Sequence, residues 1–128
     1  MIYLDTSVAL AHLLAEDRCP PTHLWDETLV ASRLLEYELW NRLHARSLAR
    51  THADPARVLL ARVAFLDLTQ SVLARALEPF PSQVRTLDAL HLASAAFLRE
   101  RGESVALATY DDRMAEAAEA MGLELFEL

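Results

Sequence analysis

Residues 1–7 read Met1-Ile-Tyr-Leu-Asp-Thr-Ser7, a short apolar run that ends at an acid and continues into two hydroxyl residues. Apolar residues in direct succession are typical of a short buried strand. From Thr6 to Ala15 the apolar residues recur at helical spacing instead, so the strand leads directly into a helix. A strand followed at once by a helix is typical of a fold in which the next strand runs parallel to the first.

The rest of the chain continues this alternation. Further strands are predicted at 28–31, 66–69, 105–108 and 123–126. The predicted helices cover 32–50 with Ser32 as the cap, 54–65 after Asp54-Pro55, 71–78, 86–101 and 111–121. Because no linker, repeat or low-complexity segment interrupts the pattern, we expect one domain over residues 1–128. The pattern favours an α/β fold with one parallel sheet and helices on both faces.

The composition excludes several classes of protein. All twelve basic residues are arginine, which rules out lysine chemistry such as a Schiff base, a P-loop or a receiver domain. With only two glycines, glycine-rich phosphate cradles are ruled out as well. The single cysteine, Cys19, cannot form an internal disulfide, and no apolar stretch approaches the ~18–20 residues of a membrane span. We therefore expect a cytoplasmic protein without membrane contact. The formal charge of −7, taken alone, argues against a nucleic-acid partner.

Four acids fall near the carboxyl ends of predicted strands, where ligands gather in open parallel sheets. Asp5 follows the first strand directly, and Asp111 follows the strand at 105–108. Glu38 lies in the helix after the second strand, and Asp88 lies in the first turn of the helix at 86–101. Carboxylates that converge at one edge of a sheet repel one another unless a cation holds them. Hard oxygen ligands of this kind favour Mg²⁺ or Mn²⁺ over zinc.

Each of these acids also has a purely structural interpretation. Asp5 and Asp111 would serve as helix N-caps. The Asp88 carboxylate, in the first turn of its helix, would interact favourably with the helix macrodipole. Glu38 would form an i,i+4 ion pair with Arg42. Together these interpretations define the alternative, a non-catalytic binding or scaffold module whose acids only cap helices.

Four blocks of residues occur in order along the chain. They are Met1-Ile-Tyr-Leu-Asp-Thr-Ser7, Glu38 six residues after Ser32, Thr86-Leu-Asp-Ala-Leu-His-Leu-Ala-Ser94, and Ala108-Thr-Tyr-Asp111. With this order and spacing the chain resembles a PIN domain, and more narrowly the VapC ribonuclease toxins of prokaryotic VapBC toxin–antitoxin pairs. The resemblance covers essentially the whole chain. It implies a doubly wound, mostly parallel sheet flanked by helices, and a metal-dependent endoribonuclease.

The resemblance also assigns roles to residues. It places Asp5, Glu38, Asp88 and Asp111 on the acidic positions that hold Mg²⁺ or Mn²⁺. Thr6 or Ser7, together with Thr109, fall on hydroxyl positions that support the metal site. Asp112 directly follows Asp111 and is expected to cap a helix or support the site. The implied partners are an RNA substrate (transfer, ribosomal or messenger RNA), a VapB-like antitoxin that blocks the acidic groove, and a second copy of the chain.

Candidate RNA-binding arginines lie close to these acids. Arg42, Arg46 and Arg50 repeat every four residues on the helix predicted at 32–50, which also carries Glu38. This stripe either follows an RNA backbone or is an ordinary solvated helix face. Arg85, near Asp88, is a further candidate for phosphate contact. His91 lies one turn after Asp88 between Leu90 and Leu92, and we assign it no catalytic role.

Overall fold

The computed structural model describes residues 1–128 and contains five strands and six α-helices. The strands are β1 (Ile2–Leu4), β2 (Leu29–Ser32), β3 (Val63–Leu66), β4 (Ala106–Ala108) and β5 (Glu124–Leu125). The helices are α1 (Thr6–Leu13), α2 (Leu34–Ala45), α3 (Ala49–Leu60), α4 (Gln70–Leu77), α5 (Thr86–Glu100) and α6 (Asp112–Ala120). A short 3₁₀ helix, Thr22–Asp26, connects α1 to β2. No helix has both the length and the apolar character needed to cross a membrane.

All five strands are parallel, and their order across the sheet is β3-β2-β1-β4-β5. This arrangement confirms the predicted α/β fold with a mostly parallel sheet. Strand β1 is central, with Tyr3 paired to Val30 of β2 on one side and to Leu107 of β4 on the other. The chain therefore builds outward through β2 and β3, then crosses to the opposite side of β1 for β4 and β5. Such a reversal opens a crevice at the carboxyl ends of the strands, between β1 and β4.

Each face of the sheet packs against its own set of helices. Leu4 belongs to one buried cluster with residues of α1, α2 and α3, whereas Tyr3 belongs to a second cluster with residues of α5 and α6. Adjacent strand residues point to opposite faces, so the apolar run of β1 supplies both cores. Because β1 is enclosed on both faces and on both edges, the residue that follows it is held rigidly at the crevice.

The single helix predicted at 32–50 was wrong: the segment forms parts of two helices, because α2 ends at Ala45 and α3 begins at Ala49. The break is a Schellman motif, in which the Leu48 N–H donates to Leu43 O at 2.8 Å and the Ser47 N–H donates to His44 O at 3.1 Å. Ser47 adopts the left-handed conformation with φ +56°. Glycine usually occupies this position, and its absence removed the sequence signal for the helix end.

The neighbouring elements shift as a consequence. Asp54 and Pro55 do not open a helix but lie inside α3, which ends at Leu60 rather than Phe65. The third strand accordingly lies at Val63–Leu66 instead of 66–69, and all four of its residues pair with β2. Proline is rare in a helix interior because it lacks the N–H donor, so Asp-Pro indicated a helix start that the structure does not have.

Candidate active site

A cleft of about 380 Å³ lies at the crevice between β1 and β4, and only two of its thirteen lining residues are hydrophobic. The structure brings together in this cleft all four acids selected from the sequence. They come from four separate segments of the chain: Asp5 after β1, Glu38 on α2, Asp88 on α5 and Asp111 after β4. Thr6, Ser7 and Arg85 line the same cleft.

Asp5 is the most buried of the four acids, with 5% of its surface exposed. It is the N-cap of α1, and its Oδ2 accepts hydrogen bonds from the Ser7 N–H at 3.3 Å, from the Ser7 hydroxyl and from the Thr109 hydroxyl at 2.8 Å. Ser7 and Thr109 thus contact Asp5 directly, as residues that support the proposed metal site would. Oδ1 accepts no hydrogen bond from the protein, so one oxygen of this carboxylate is anchored and the other remains free for a ligand.

The turn after β4 is fixed to Asp5 through the same two hydroxyl groups. The Thr109 oxygen accepts from the Asp111 N–H at 3.0 Å, and the Ser7 oxygen accepts from the Tyr110 N–H at 2.9 Å. Each hydroxyl thus donates to Asp5 and accepts from the backbone of the turn. The positions of Asp5 and Asp111 are therefore coupled by direct hydrogen bonds.

Glu38 is held across the cleft from Asp5. Its Oε1 accepts from the Thr6 hydroxyl at 3.2 Å and contacts His91 Nε2, while Oε2 has no hydrogen-bond partner in the protein. The predicted ion pair between Glu38 and Arg42 does not form. Thr6 is 7% exposed, so its hydroxyl is a fixed donor toward this carboxylate.

Asp88 and Asp111 are bridged by Arg85. The Arg85 Nε lies 3.3 Å from Asp88 Oδ2, and its Nη2 lies 3.3 Å from Asp111 Oδ2. Asp111 also caps α6, because its Oδ1 accepts from the backbone N–H groups of Arg113 and Met114 at 2.9 and 3.2 Å. Burial raises the pKa of the Asp88 carboxyl above its ordinary value, although Arg85 opposes that shift. Asp112 is the first residue of α6, does not line the cleft and is not the cap.

The four carboxylates fit a hard divalent cation by their chemistry, because they offer oxygen ligands in one polar cleft. Asp5, Glu38 and Asp88 each retain an oxygen without a protein hydrogen-bond partner, and Asp111 Oδ2 is paired only with Arg85. In these side-chain positions no three acidic or imidazole groups surround a common metal position. The Arg85 guanidinium, which is 70% exposed, instead provides the positive charge between Asp88 and Asp111.

Four arginines line the cleft, and sequence reasoning found three of them. Arg42, Arg46 and Arg85 were predicted, whereas Arg18 was missed because it lies in a loop without periodicity. Arg18 Nη1 donates to Tyr110 O at 3.1 Å, and its guanidinium lies over the Tyr110 ring. Arg50 does not line the cleft, because the helical path is interrupted at Ser47 and Arg50 belongs to the next helix, α3. Arg42, Arg46 and Arg50 therefore do not form one continuous helical stripe.

His91 is the second residue whose contact the sequence did not reveal. It is 1% exposed and touches Glu38 with Nε2 and the Tyr3 hydroxyl with Nδ1 at 2.9 Å. Burial opposes the charged imidazole, but the hydrogen bond and the charge of Glu38 outweigh it, so the pKa of His91 is raised. The spacing indicates only that His91 lies on the same side of the helix as Asp88, one turn away, and it does not indicate the contact with Glu38.

Comparison with known families finds that the family model of the PIN domain matches residues 2–120 of this chain. The chain belongs to the PIN domain family, and within it to the VapC ribonucleases, which confirms the resemblance seen in the sequence. It is 33% identical to Ribonuclease VapC47 of Mycobacterium tuberculosis, over 95% of this chain and 93% of that protein. It is 36% identical to Ribonuclease VapC35 of the same organism, over 96% of this chain and 93% of the relative.

A solved structure supports the fold independently. The crystal structure of Mycobacterium tuberculosis VapC20, described as a Sarcin-Ricin loop cleaving toxin, superposes with a TM-score of 0.66. The match has 21% sequence identity and covers 91% of this chain and 95% of that chain. At this level of identity the similarity establishes the shared fold.

Proposed function

We propose that this protein is a cytoplasmic, metal-dependent endoribonuclease toxin that cleaves RNA phosphodiester bonds in the acidic cleft and is neutralised by a VapB-like antitoxin. The single observation that carries the proposal is the hydrogen bonding of the carboxylate oxygens, which leaves some of them without a partner in the protein. Asp5 and Glu38 are each anchored through one oxygen, while the second has no partner in the protein. Helix capping accounts for one oxygen of Asp5 and one of Asp111, and it accounts for neither oxygen of Glu38.

The four acids have different roles in this proposal. Asp5, Asp88 and Asp111 would hold Mg²⁺ or Mn²⁺, and Glu38 would ligate the ion or orient the attacking water. When bound, the ion would lower the pKa of a water molecule and stabilise the charge that develops on the leaving 3′-oxygen. Ser7 and Thr109 keep Oδ2 of Asp5 occupied, so that Oδ1 is the atom available for the ion.

Incubation of the purified protein with transfer and ribosomal RNA tests this function. We expect internal cuts in the presence of Mg²⁺ or Mn²⁺ and intact RNA when EDTA is present. Cleavage that continues at the same rate in EDTA would contradict metal dependence. Intact RNA under all conditions would contradict the nuclease proposal.

The arginines of the cleft would bind the RNA backbone. Arg46→Ala is expected to weaken RNA binding and to reduce the slope of log K against log salt by about one, because one phosphate contact is lost. Arg50→Ala is the matched control, because Arg50 is close in sequence but does not line the cleft. Binding measured over a salt series checks both variants. Equal slopes for wild type and Arg46→Ala would show that Arg46 does not contact RNA phosphates and belongs to an ordinary solvated helix face.

Arg85 would exchange partners when a cation enters the site. Arg85→Ala is expected to bind Mn²⁺ several-fold more tightly, because no guanidinium then competes for Asp88 and Asp111, and to bind RNA more weakly. Arg33→Ala is the matched control, since Arg33 is a similarly exposed arginine that forms an ion pair with Asp67 outside the cleft. Calorimetric titration with Mn²⁺ gives the affinity. Unchanged Mn²⁺ affinity in Arg85→Ala would show that Arg85 does not compete with the ion.

A cluster of carboxylates that already accommodates Arg85 is also complementary to an arginine from a partner. We therefore propose that a VapB-like antitoxin inserts a basic segment into the cleft. A homodimer is proposed as well, on the family resemblance alone. Co-expression with the product of a short reading frame directly upstream is expected to suppress RNA cleavage. Cleavage that persists in a purified complex with this product would contradict inhibition at the cleft.

A further inference from the structure

A buried chain of hydrogen bonds ends at Glu38. The Ser32 N–H donates to the Tyr3 hydroxyl oxygen at 3.0 Å, the hydroxyl lies 2.9 Å from His91 Nδ1, and His91 Nε2 contacts Glu38 Oε1. Tyr3 is fully buried and His91 is 1% exposed, so solvent does not compete for these contacts. Of these four residues, only Glu38 lines the cleft.

The contact with Glu38 fixes the donor at that end of the chain. An ionised carboxylate only accepts hydrogen bonds, so His91 Nε2 carries the proton that is donated to Glu38. The Tyr3 oxygen accepts the Ser32 N–H, and its hydroxyl group forms a second hydrogen bond with His91 Nδ1. Every polar group in the chain is then satisfied, as a buried polar network requires.

We propose that Tyr3 and His91 are positioning residues that fix the Glu38 carboxylate for RNA cleavage. The inference rests on the proposed function, because Glu38 belongs to the proposed metal site. Glu38 has a flexible side chain, and its Oε1 is held by the Thr6 hydroxyl and by His91, which leaves Oε2 for the cleft. Without His91, one of these two constraints on the carboxylate is lost.

The same chain connects the elements that carry the other acids. Tyr3 lies two residues before Asp5 at the end of β1, and His91 lies one turn after Asp88 on α5. Glu38 is on α2, on the opposite side of the sheet from α5. The Tyr3–His91–Glu38 contacts therefore fix the relative positions of three segments that meet at the cleft. Partners of this kind affect metal affinity or activity without touching the ion.

Three variants and one spectrum test the proposal. His91→Leu removes the donor to Glu38, His91→Gln retains an N–H donor at a similar reach, and Tyr3→Phe removes only the hydroxyl that orients His91. His52→Gln is the matched control, because His52 hydrogen-bonds to Thr51 on α3 and does not line the cleft. The measurements are Mn²⁺ affinity, kcat and KM for RNA, thermal unfolding, and a ¹⁵N spectrum of the metal-free wild-type histidines that identifies which ring nitrogen is protonated.

We expect His91→Leu to lower kcat or Mn²⁺ affinity roughly 10- to 100-fold. The KM for RNA should stay unchanged, and His91→Gln should recover most of the loss. Tyr3→Phe should show an intermediate loss, and the spectrum should place a proton on Nε2 of His91. If His91→Leu fails to fold, Tyr3→Phe and His91→Gln still carry the comparison with His52→Gln.

Two results would overturn the positioning role. The first is a spectrum in which Nε2 of His91 carries no proton. The second is wild-type kcat and Mn²⁺ affinity in folded His91→Leu or, where that variant does not fold, in Tyr3→Phe. A wild-type protein that neither binds Mn²⁺ nor cleaves RNA would instead contradict the proposed function itself, so the two failures are distinguishable.

Discussion

Asp5→Asn protein is expected to remain folded and to cleave RNA about a thousandfold more slowly than wild type. The asparagine oxygen still accepts the hydrogen bonds that Ser7 and Thr109 donate to Asp5, so the cap of α1 and the link to the β4–α6 turn are retained. The amide nitrogen then replaces the free Oδ1 and presents hydrogen atoms where a cation needs a negative oxygen. A thousandfold loss corresponds to about 4 kcal/mol of transition-state stabilisation, and a bound ion contributes several kcal/mol.

Initial rates of RNA cleavage at saturating Mg²⁺ measure this effect, and thermal unfolding shows that the variant is intact. Asp54→Asn is the matched control, because it is the same substitution at a residue of α3 whose side chain is 96% exposed and pairs with Arg57. We expect wild-type rates for this control. Asp5→Asn protein that cleaves RNA at the wild-type rate would exclude Asp5 from the chemistry.

Mg²⁺ is expected to stabilise the wild-type fold by about 2.7 kcal/mol when its concentration is one hundred times the dissociation constant. The folded chain gathers four carboxylates in one cleft, whereas the unfolded chain disperses them, so the ion binds the native state selectively. For a domain of this size the midpoint of unfolding should rise by roughly 10 °C. Removal of the ion with EDTA should reverse the shift.

Thermal unfolding in a Mg²⁺ series measures this stabilisation, with NaCl at matched ionic strength as the control for general screening. Asp5→Asn is expected to show a much smaller shift. This comparison also separates the proposed enzyme from a scaffold whose acids only cap helices. A shift in Mg²⁺ no larger than the shift in matched NaCl would favour the scaffold.

Much of the fold was predictable because the apolar sequence of β1 indicates directly that this strand is buried. An apolar run next to an acid, followed by a helical pattern, is locally consistent with a parallel strand at the centre of a sheet. The break at Ser47 was not predictable, since a left-handed serine leaves no glycine signal. Pro55 is a false signal of a helix start, because α3 tolerates in its interior a residue that ordinarily opens or ends a helix.

Most residues that line the site were predictable, including its four candidate metal ligands and three of its four arginines, but the contacts between them were not. Asp5 and Asp111 follow strands that the pattern locates, so their convergence follows from the topology of a parallel sheet. The contact between His91 and Glu38 joins residues 53 positions apart on two helices, and only the packed structure reveals it. Arg18 likewise reaches the cleft from a loop, through its bond to Tyr110.

The net charge of −7 is a poor guide to the partner of this protein, because the distribution of charge matters more than the sum. Five acids line the cleft, namely the four candidate metal ligands and Glu16, and four arginines line the same cleft. A metal ion would neutralise part of the acidic cluster and leave the arginines to face phosphate groups. An acidic protein can therefore present a local surface suited to RNA.

Mapping the 5′ ends of cellular RNA after expression of wild type and of Asp5→Asn decides whether this protein is an endoribonuclease that depends on Asp5. We expect a defined set of new internal 5′ ends with wild-type protein, absent with Asp5→Asn expressed at the same level. Identical sets of 5′ ends from the two proteins would contradict an endoribonuclease whose chemistry depends on Asp5.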